Sequence, residues 1–441
     1  MAKVIPRIQS GFMELLPAEQ ILFNKYLQII KETFEEFGFA PQDTPIVENA
    51  EVLFAQIGED TKKEIYRFTK GDDELGLRFD LTVPLARYVS MYSNNLTFPY
   101  RRYQIGKAYR GERPQRGRFR EFYQADIDII GNGSLAIVND AEIPAVINKV
   151  FEKLDLGEFL IKISNRKILS GLLEELGVGE KRDEVLRVVD KIDKVGLETA
   201  KQMLIDLEIK SIEADKVLDF VKITGNNTKI LEILINMEVK NELFKVGVSE
   251  LSEVIEKARN FGVPEKNIQI DLGIARGLSY YTGTVYETVL LDERVKGSVC
   301  GGGRYDNLAE SYTDQKFPGV GISIGLTRLF SQLLDEGVIK VQAATPAKIL
   351  VVPMEKDMPF ALEVAAQLRD LGIPTELYTE DDKFKKKLTY ANKIGVPYVA
   401  IIGEDEVTKK KIALKNMTTG EQELVDVKVA VDQILSLDKA I

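Results

Sequence analysis

The 441-residue chain contains no histidine and a single cysteine, Cys300. Without histidine there is no Ser–His or Cys–His pair, no imidazole general base, no histidine-held haem and no His-ligated zinc. One cysteine excludes an intrachain disulfide framework and a thiolate metal cluster, and it fits a reducing cytoplasm. No apolar run approaches the ~18–20 residues of a membrane helix. The start, Met1-Ala2-Lys3-Val4, has neither a signal-peptide core nor transit-peptide character. Chemistry in this chain must therefore run on carboxylates, arginines, lysines, tyrosines and backbone dipoles.

What is present is an ordinary globular composition, 44% hydrophobic and 29% charged, long enough for two or three domains. The net charge of −10 argues against indiscriminate coating of nucleic acid but leaves room for a local basic site.

Leu22, Tyr26, Ile29, Ile30, Thr33, Phe34 and Phe37 predict a helix over 18–37, stopped at Gly38. Strands are expected over 64–70 and 75–80, then a short helix after Asp80-Leu81-Thr82 with Pro84 in its first turn. An antiparallel pair, 100–110 and 120–130, flanks the polar loop Gly111–Gly117. From 165 to 262 the sequence turns helical and Lys/Glu/Leu-rich, an inserted module. Strands return over 268–275, 283–291 and 297–301, and Gly319–Gly325 enters a helix carrying Arg328. After a linker at Gly337–Pro346, strands at Lys348–Met354, Thr375–Tyr378 and Tyr398–Gly403 alternate with helices near 358–371 and 383–394. That βαβαβ pattern is a compact second domain.

Between Arg101 and Arg120 stand eight basic residues against one acid, Glu112. They read as a solvated basic face or as a site for a polyanion. In the next strand, alternation puts Tyr123, Ala125, Ile127 and Ile129 on a core face and Phe122, Gln124, Asp126 and Asp128 on the other. One aromatic plate, one amide and two carboxylates beside a basic loop suggest a pocket floor. Two further clusters are Arg276-Gly277-Leu278-Ser279-Tyr280-Tyr281 and Gly301-Gly302-Gly303-Arg304-Tyr305-Asp306. The glycines there serve either as a turn or bulge, or as close backbone approach to a ligand.

These segments resemble a class II aminoacyl-tRNA synthetase, specifically the histidyl-tRNA synthetase family, over nearly the whole chain. Arg110–Phe122 looks like motif 2, Gly319–Arg328 like motif 3 and Pro45 like the motif 1 proline. The Arg276–Tyr281 and Gly301–Asp306 segments match the two signatures peculiar to the histidyl family. The resemblance implies an α+β multidomain fold. Its catalytic domain, 1–336, is an antiparallel sheet flanked by helices with a helical insertion at about 168–262. A C-terminal α/β anticodon-binding domain, 347–441, follows.

It also implies roles. Arg110 matches the arginine on the ATP α-phosphate, Glu112 lies near the adenine amino group, Phe122 stacks under the ring and Arg328 covers it. Arg118 would bind the outer phosphates. Asp80 and Thr82 match residues that receive the substrate α-amino group, with Gln124 beside the substrate backbone. Asp128 and Tyr281 match the readers of the two imidazole nitrogens, and Tyr280 belongs to the same pocket. Arg276 matches the catalytic arginine. Arg113, Gln115 and Arg116 are candidates for contact with the tRNA acceptor end. The implied substrates and partners are L-histidine, ATP with Mg²⁺, tRNA(His) and a second copy of the chain in a homodimer.

The chain departs from the family pattern at Ser279, usually aspartate, and at Gly111 and Tyr123, often histidine. The rival is a synthetase-like regulatory subunit of ATP phosphoribosyltransferase, which would erode the ATP arginines and lack the last domain. Other class II specificities, prolyl or threonyl, do not share the two signatures. Lys383, Lys385, Lys386 and Lys387 form a candidate phosphate-contacting patch or a solvated helix start. A histidine-free synthetase of this family could still be translated when charged histidyl-tRNA is scarce. Ribosome profiling under histidine limitation tests that idea, which fails if its translation falls with that of histidine-containing proteins.

Overall fold

The structure, a computed structural model, describes residues 3–55, 62–274, 280–307, 309–354 and 357–438. Arg276 and Ser279 therefore lie outside the described residues. Two compact units make up the chain: Leu27–Ile339 with residues up to Met13, and residues from Lys340 onward with Glu14–Tyr26. The first helix runs Pro17–Glu36, and Phe23, Tyr26, Ile30, Thr33 and Phe34 form its buried stripe at helical spacing.

The first unit is built on an eight-stranded sheet. Its strands are β1 (Ala40–Pro41), β5 (Tyr100–Tyr109), β6 (Glu121–Ile130), β7 (Phe159–Asn165), β8 (Ile268–Ile270), β9 (Thr284–Leu290), β10 (Cys300–Tyr305) and β11 (Gly319–Gly325). Their order is β1-β5-β6-β11-β10-β9-β7-β8, antiparallel except at the two outermost pairs. β2 (Val47–Asn49), β3 (Arg67–Lys70) and β4 (Asp73–Leu77) form a separate three-stranded sheet. The 64–70 and 75–80 strands are thus shorter than expected. Arg78 explains the early end: its buried guanidinium donates to the Lys107 and Thr44 carbonyls, holding the chain as it leaves the ladder.

Alternation along β6 divides the large sheet as expected. Ile127 and Ile129, with Ile322 and Ile324 from β11, are buried on one face. The helix Val138–Leu154 packs there, anchored by Tyr286 Oη donating to the Asp140 carbonyl at 2.8 Å. Arg304 belongs to this face too, paired with the fully buried Asp140 at 2.6 Å. It turns away from the site, a structural anchor.

The expected strand 297–301 starts and ends later, at Cys300–Tyr305, and Gly301–Gly303 are neither turn nor bulge. They are strand interior, and crowding explains Gly302 and Gly303. A Cβ on Gly302 would overlap the Gly321 carbonyl, and one on Gly303 would press the Thr284 carbonyl and the Tyr281 ring.

Seven α-helices between Arg166 and Asn260 form the insertion, ending in the long helix Glu242–Asn260 against Arg166–Glu175. The second unit has β12 (Ile349–Pro353), β13 (Thr375–Leu377), β14 (Tyr398–Ile402), β15 (Ile412–Asn416) and β16 (Gln422–Val425), ordered β13-β12-β14-β15-β16. The first three are parallel, as βαβαβ requires, and β15–β16 add an antiparallel hairpin that the pattern did not announce. Lys387, counted in the candidate phosphate patch, is buried and donates to the Pro353 carbonyl at 2.8 Å, and Lys386 pairs with Asp382. Only Lys383 and Lys385 of the four remain exposed without an ion pair among the described residues.

Candidate functional site

The uncovered face of the large sheet carries polar residues in rows set by strand register. Arg102, Asp128, Gly321 and Gly303 share one row across β5, β6, β11 and β10. Gln104, Asp126, Ser323, Gly301 and Glu287 share the next, and Gly106, Gln124 and Gly325 a third. At Gly321, Gly303 and Gly106 there is no room for a side chain beside the functional ones. A Cβ on Gly321 would overlap the Asp128 carboxylate itself.

Asp128 is 3% exposed. Its Oδ1 accepts the Tyr305 hydroxyl at 2.7 Å, and its Oδ2 lies 2.7 Å from Arg102 Nη2 without an aligned hydrogen bond. Burial raises its carboxyl, and the adjacent guanidinium opposes that rise. Gln124 Nε2 donates to Ser323 Oγ at 2.6 Å. Asp80 sits at the start of the helix Thr82–Tyr92, where Oδ1 accepts Val83 N at 3.0 Å and so caps the turn. Thr82 hydrogen-bonds Tyr280, whose ring meets Tyr281 edge-on at 4.9 Å.

Four buried acceptor oxygens converge in this region with no hydrogen-bond partner among the described residues: Asp80 Oδ2, Gln124 Oε1, Asp126 Oδ1 and Asp128 Oδ2. Orphaned buried acceptors are costly and call for a ligand that brings donors. Burial pushes Asp80 up to about 6 and Asp126 up to about 7. All three carboxylates bear on the Tyr281 hydroxyl, which burial holds neutral.

Next to these rows, and sharing Gln124, Ser323, Gly301 and Glu287 with them, lies an open cavity of about 600 Å³. Arg110, Glu112, Arg118, Phe122, Gln124 and Arg328 all line it. The Arg110 guanidinium stands 5.0 Å from the Phe122 ring centre, and its Nε donates to the Phe79 carbonyl. Arg118 pairs with Glu112 at 3.0 Å, and Arg328 donates to the Lys296 carbonyl at 3.1 Å. A flat aromatic beside a guanidinium, in a cavity that two further arginines line, suits a nucleobase and its phosphates.

The basic run is less uniform than its count suggests. Arg101 pairs with Glu142, Arg102 with Asp128, Lys107 with Glu121, Arg116 with Glu336 and Arg118 with Glu112. Arg110, Arg113 and Arg120 are left without an ion pair among the described residues. Arg113, Gln115 and Arg116 are exposed on the loop, outside the cavity lining. Sequence reasoning missed Arg102 and Ser323 as site residues, and also Asp190 and Lys194, by which the insertion walls the cavity. Register with β6 was the signal for the first two.

The family model described as Histidyl-tRNA synthetase matches residues 11–329, and that described as Anticodon binding domain matches 348–437. Histidine--tRNA ligase of Clostridium tetani is 53% identical over 97% of this chain and 98% of its own length. That of Clostridium acetobutylicum is 46% identical over 96% and 99%. The solved histidyl-tRNA synthetase of Nostoc sp. PCC 7120 superposes with a TM-score of 0.91 at 40% identity, covering 98% of this chain and all of that one. An ATP phosphoribosyltransferase regulatory subunit/histidyl-tRNA synthetase structure from Bacillus halodurans shares the fold, with a TM-score of 0.75 at 19% identity. With an antiparallel sheet bearing this site, a helical insertion and a C-terminal anticodon-binding domain, the chain belongs to the histidyl-tRNA synthetase family of class II aminoacyl-tRNA synthetases.

Proposed function

We propose that the protein activates histidine with ATP to histidyl-adenylate and transfers the histidyl group to the 3′ end of tRNA(His). The observation that carries this reading is the set of buried acceptors without a hydrogen-bond partner among the described residues, Asp80 Oδ2, Gln124 Oε1 and Asp126 Oδ1 with the Arg102-paired Asp128 beside them, next to a cavity walled by Arg110, Phe122 and Arg328. An α-ammonium and an imidazole bring the N–H donors those oxygens lack. A carboxylate attacking phosphorus is already ionised at neutral pH, so no general base is needed, which suits a chain without histidine. The requirement is in-line positioning and positive charge around the α-phosphate.

In this reading Asp80, with Thr82, holds the α-ammonium, Gln124 orients the substrate backbone, and Asp128 and Tyr281 read the ring nitrogens, with Tyr280 bracing Tyr281. Arg110 holds the α-phosphate, Phe122 and Arg328 sandwich the adenine, Glu112 meets its amino group, and Arg118 leaves Glu112 for the outer phosphates. Arg276, by family resemblance, completes the charge on the α-phosphate and substrate carboxylate. Mg²⁺ would neutralise charge on the departing pyrophosphate. The donors fit an ion held mostly by phosphates and water, since Glu64, Glu112, Asp190 and Glu287 line the cavity without forming a cluster of three or more acidic or cysteine side chains suited to a metal among the described residues.

Arg113, Gln115 and Arg116, exposed on the motif 2 loop, meet the acceptor end. Residues 1–336 form the catalytic domain, with its insertion over about 168–262, and 347–441 bind the anticodon. The working form is a cytoplasmic homodimer: Ile46 and Val47, directly after the motif 1 Pro45, are exposed apolar side chains that a partner would cover. Among the described residues no helix is long and apolar enough to cross a membrane.

ATP–pyrophosphate exchange with each of the twenty amino acids tests the reading. Exchange with histidine alone is expected. Exchange with another amino acid would overturn the ring-reading roles, and binding of histidine without exchange would favour the regulatory paralogue.

A further inference from the structure

We propose that Asp126 is a specificity-determining residue that makes this pocket take histidine as its imidazolium, the ring proton being supplied by the Asp126 carboxyl. The inference rests on the histidine-activating reading above. Asp126 lies on the site face of β6 between Gln124 and Asp128 and is 2% exposed. Its carboxylate hydrogen-bonds the Ser323 side chain, which also receives Gln124 Nε2, and its Oδ1 has no partner among the described residues.

Pairing of charges singles it out. Asp128 is matched by Arg102 at 2.7 Å, and Asp80 is the carboxylate assigned to the α-ammonium. Asp126 is left without a cation of its own. The groups that bear on it are Arg102 on β5, Asp128 on its own strand, Ser323 on β11 and Asp80 ahead of the Thr82 helix. Gln104 stands opposite it on β5, and the Asp126 charge is felt by the Tyr281 hydroxyl and the buried Cys300 thiol. A neutral imidazole has one donor and one acceptor; an imidazolium has two donors and a positive charge. The Tyr281 hydroxyl serves either form, because it both donates and accepts. Ionised carboxylates only accept, so they decide the charge of the ring.

The proton balance closes within the pocket. In the empty site burial holds a proton on Asp126 up to about pH 7, and a free histidine ring titrates near 6.5, roughly the same. On binding, the Asp126 O–H bond breaks and a ring N–H bond forms, with no net proton exchanged near neutrality.

Two measurements on the full-length wild-type protein test this. Histidine affinity is expected to peak near neutrality and fall on both sides between about pH 5.5 and 8.5. The ¹⁵N spectrum of ring-labelled histidine bound at pH 7.5 is expected to show both nitrogens protonated. In Asp126→Asn the peak should be lost, the bound ring should carry one bare nitrogen, and affinity at pH 7 should drop about tenfold or more. A bare ring nitrogen in the wild-type complex, or an affinity that climbs through pH 6.5 to a plateau, overturns the proposal and leaves the activation reading intact. No binding of histidine at all overturns the activation reading itself.

Discussion

Arg102 Nη2 stands 2.7 Å from Asp128 Oδ2, with both side chains withdrawn from water. The arginine also donates to the Leu81 carbonyl at 3.1 Å. It thereby ties the Asp128 carboxylate to the segment that presents Asp80 and Thr82. Removing one partner of a buried pair leaves an uncompensated charge, a loss of ~3–5 kcal/mol. Arg102→Met is therefore expected to destabilise the first unit by about that amount in urea unfolding, and to raise the histidine KM more than the ATP KM. Unchanged stability together with an unchanged histidine KM would show that the pair is idle.

Stability should depend on pH through the same cluster. Asp80 titrates near 3.8 unfolded and about 6 folded, and Asp126 near 3.8 and about 7. Their folded values are raised, so the native state keeps protons that the unfolded chain has lost. Their contribution is full below about pH 4 and is lost as pH rises through about 6 to 7. The rise at Asp80 corresponds to about 3 kcal/mol. Apparent Tm of the ligand-free protein should fall between about pH 4 and 7 through these two groups, and Asp80→Asn or Asp126→Asn should flatten that slope. A wild-type slope of opposite sign would sink the assignment.

Glycine placement gives a sharper contrast. A Cβ at Gly321 overlaps the Asp128 carboxylate and the Ile127 carbonyl, whereas at Gly301 the nearest atom is the Tyr286 carbonyl at 3.4 Å. Gly321→Ala should cost ~1–3 kcal/mol in overpacking and lower kcat/KM for histidine by about a hundredfold or more. Gly301→Ala should unfold like wild type. Equal thermal stability of the two variants would refute the register argument.

These contrasts mark what was legible in the sequence. The two faces of β6 follow from period-two alternation, and the helix Pro17–Glu36 from its apolar spacing, so both are visible locally. The Gly301–Gly303 run was ambiguous because what requires glycine at Gly302 and Gly303, the Gly321 and Thr284 carbonyls, comes from other strands. The basic run looked like one patch because Glu142 and Glu336, which neutralise Arg101 and Arg116, are far away in sequence. Asp126 was visible as a carboxylate, but its lack of a cation emerges only once Arg102 is seen on Asp128.

The nucleotide end of the site should respond separately from the histidine end. Phe122 presents its ring to the cavity beneath the Arg110 guanidinium. Phe122→Leu keeps apolar volume but removes the plate, and base–aromatic stacking is worth ~1–3 kcal/mol. The ATP KM should rise roughly tenfold in pyrophosphate exchange while the histidine KM moves little. An equal rise in both would mean that Phe122 supports the whole sheet face and not the base alone.

The C-terminal lysines separate a stability role from a binding role within one helix turn. Lys387 is 5% exposed, with its ammonium on the Pro353 carbonyl and 5.6 Å from the Tyr378 ring centre. An ammonium spent on β12 is not available to a phosphate. Lys387→Met should therefore lower the stability of this unit by ~1–3 kcal/mol, by removing a charged donor from a buried carbonyl. The affinity of the folded protein for tRNA should stay the same. Lys383→Glu with Lys385→Glu acts on exposed side chains and should leave Tm within a degree or two. If these lysines meet the anticodon stem, the double variant weakens tRNA binding several-fold at low salt and reduces the slope of log K against log salt by about one per lost contact. Filter binding across a salt series, beside thermal unfolding of each variant, distinguishes the two roles. Loss of tRNA affinity in Lys387→Met without loss of stability would reverse the assignment, and an unaltered salt slope in the double variant would remove the exposed pair from the interface.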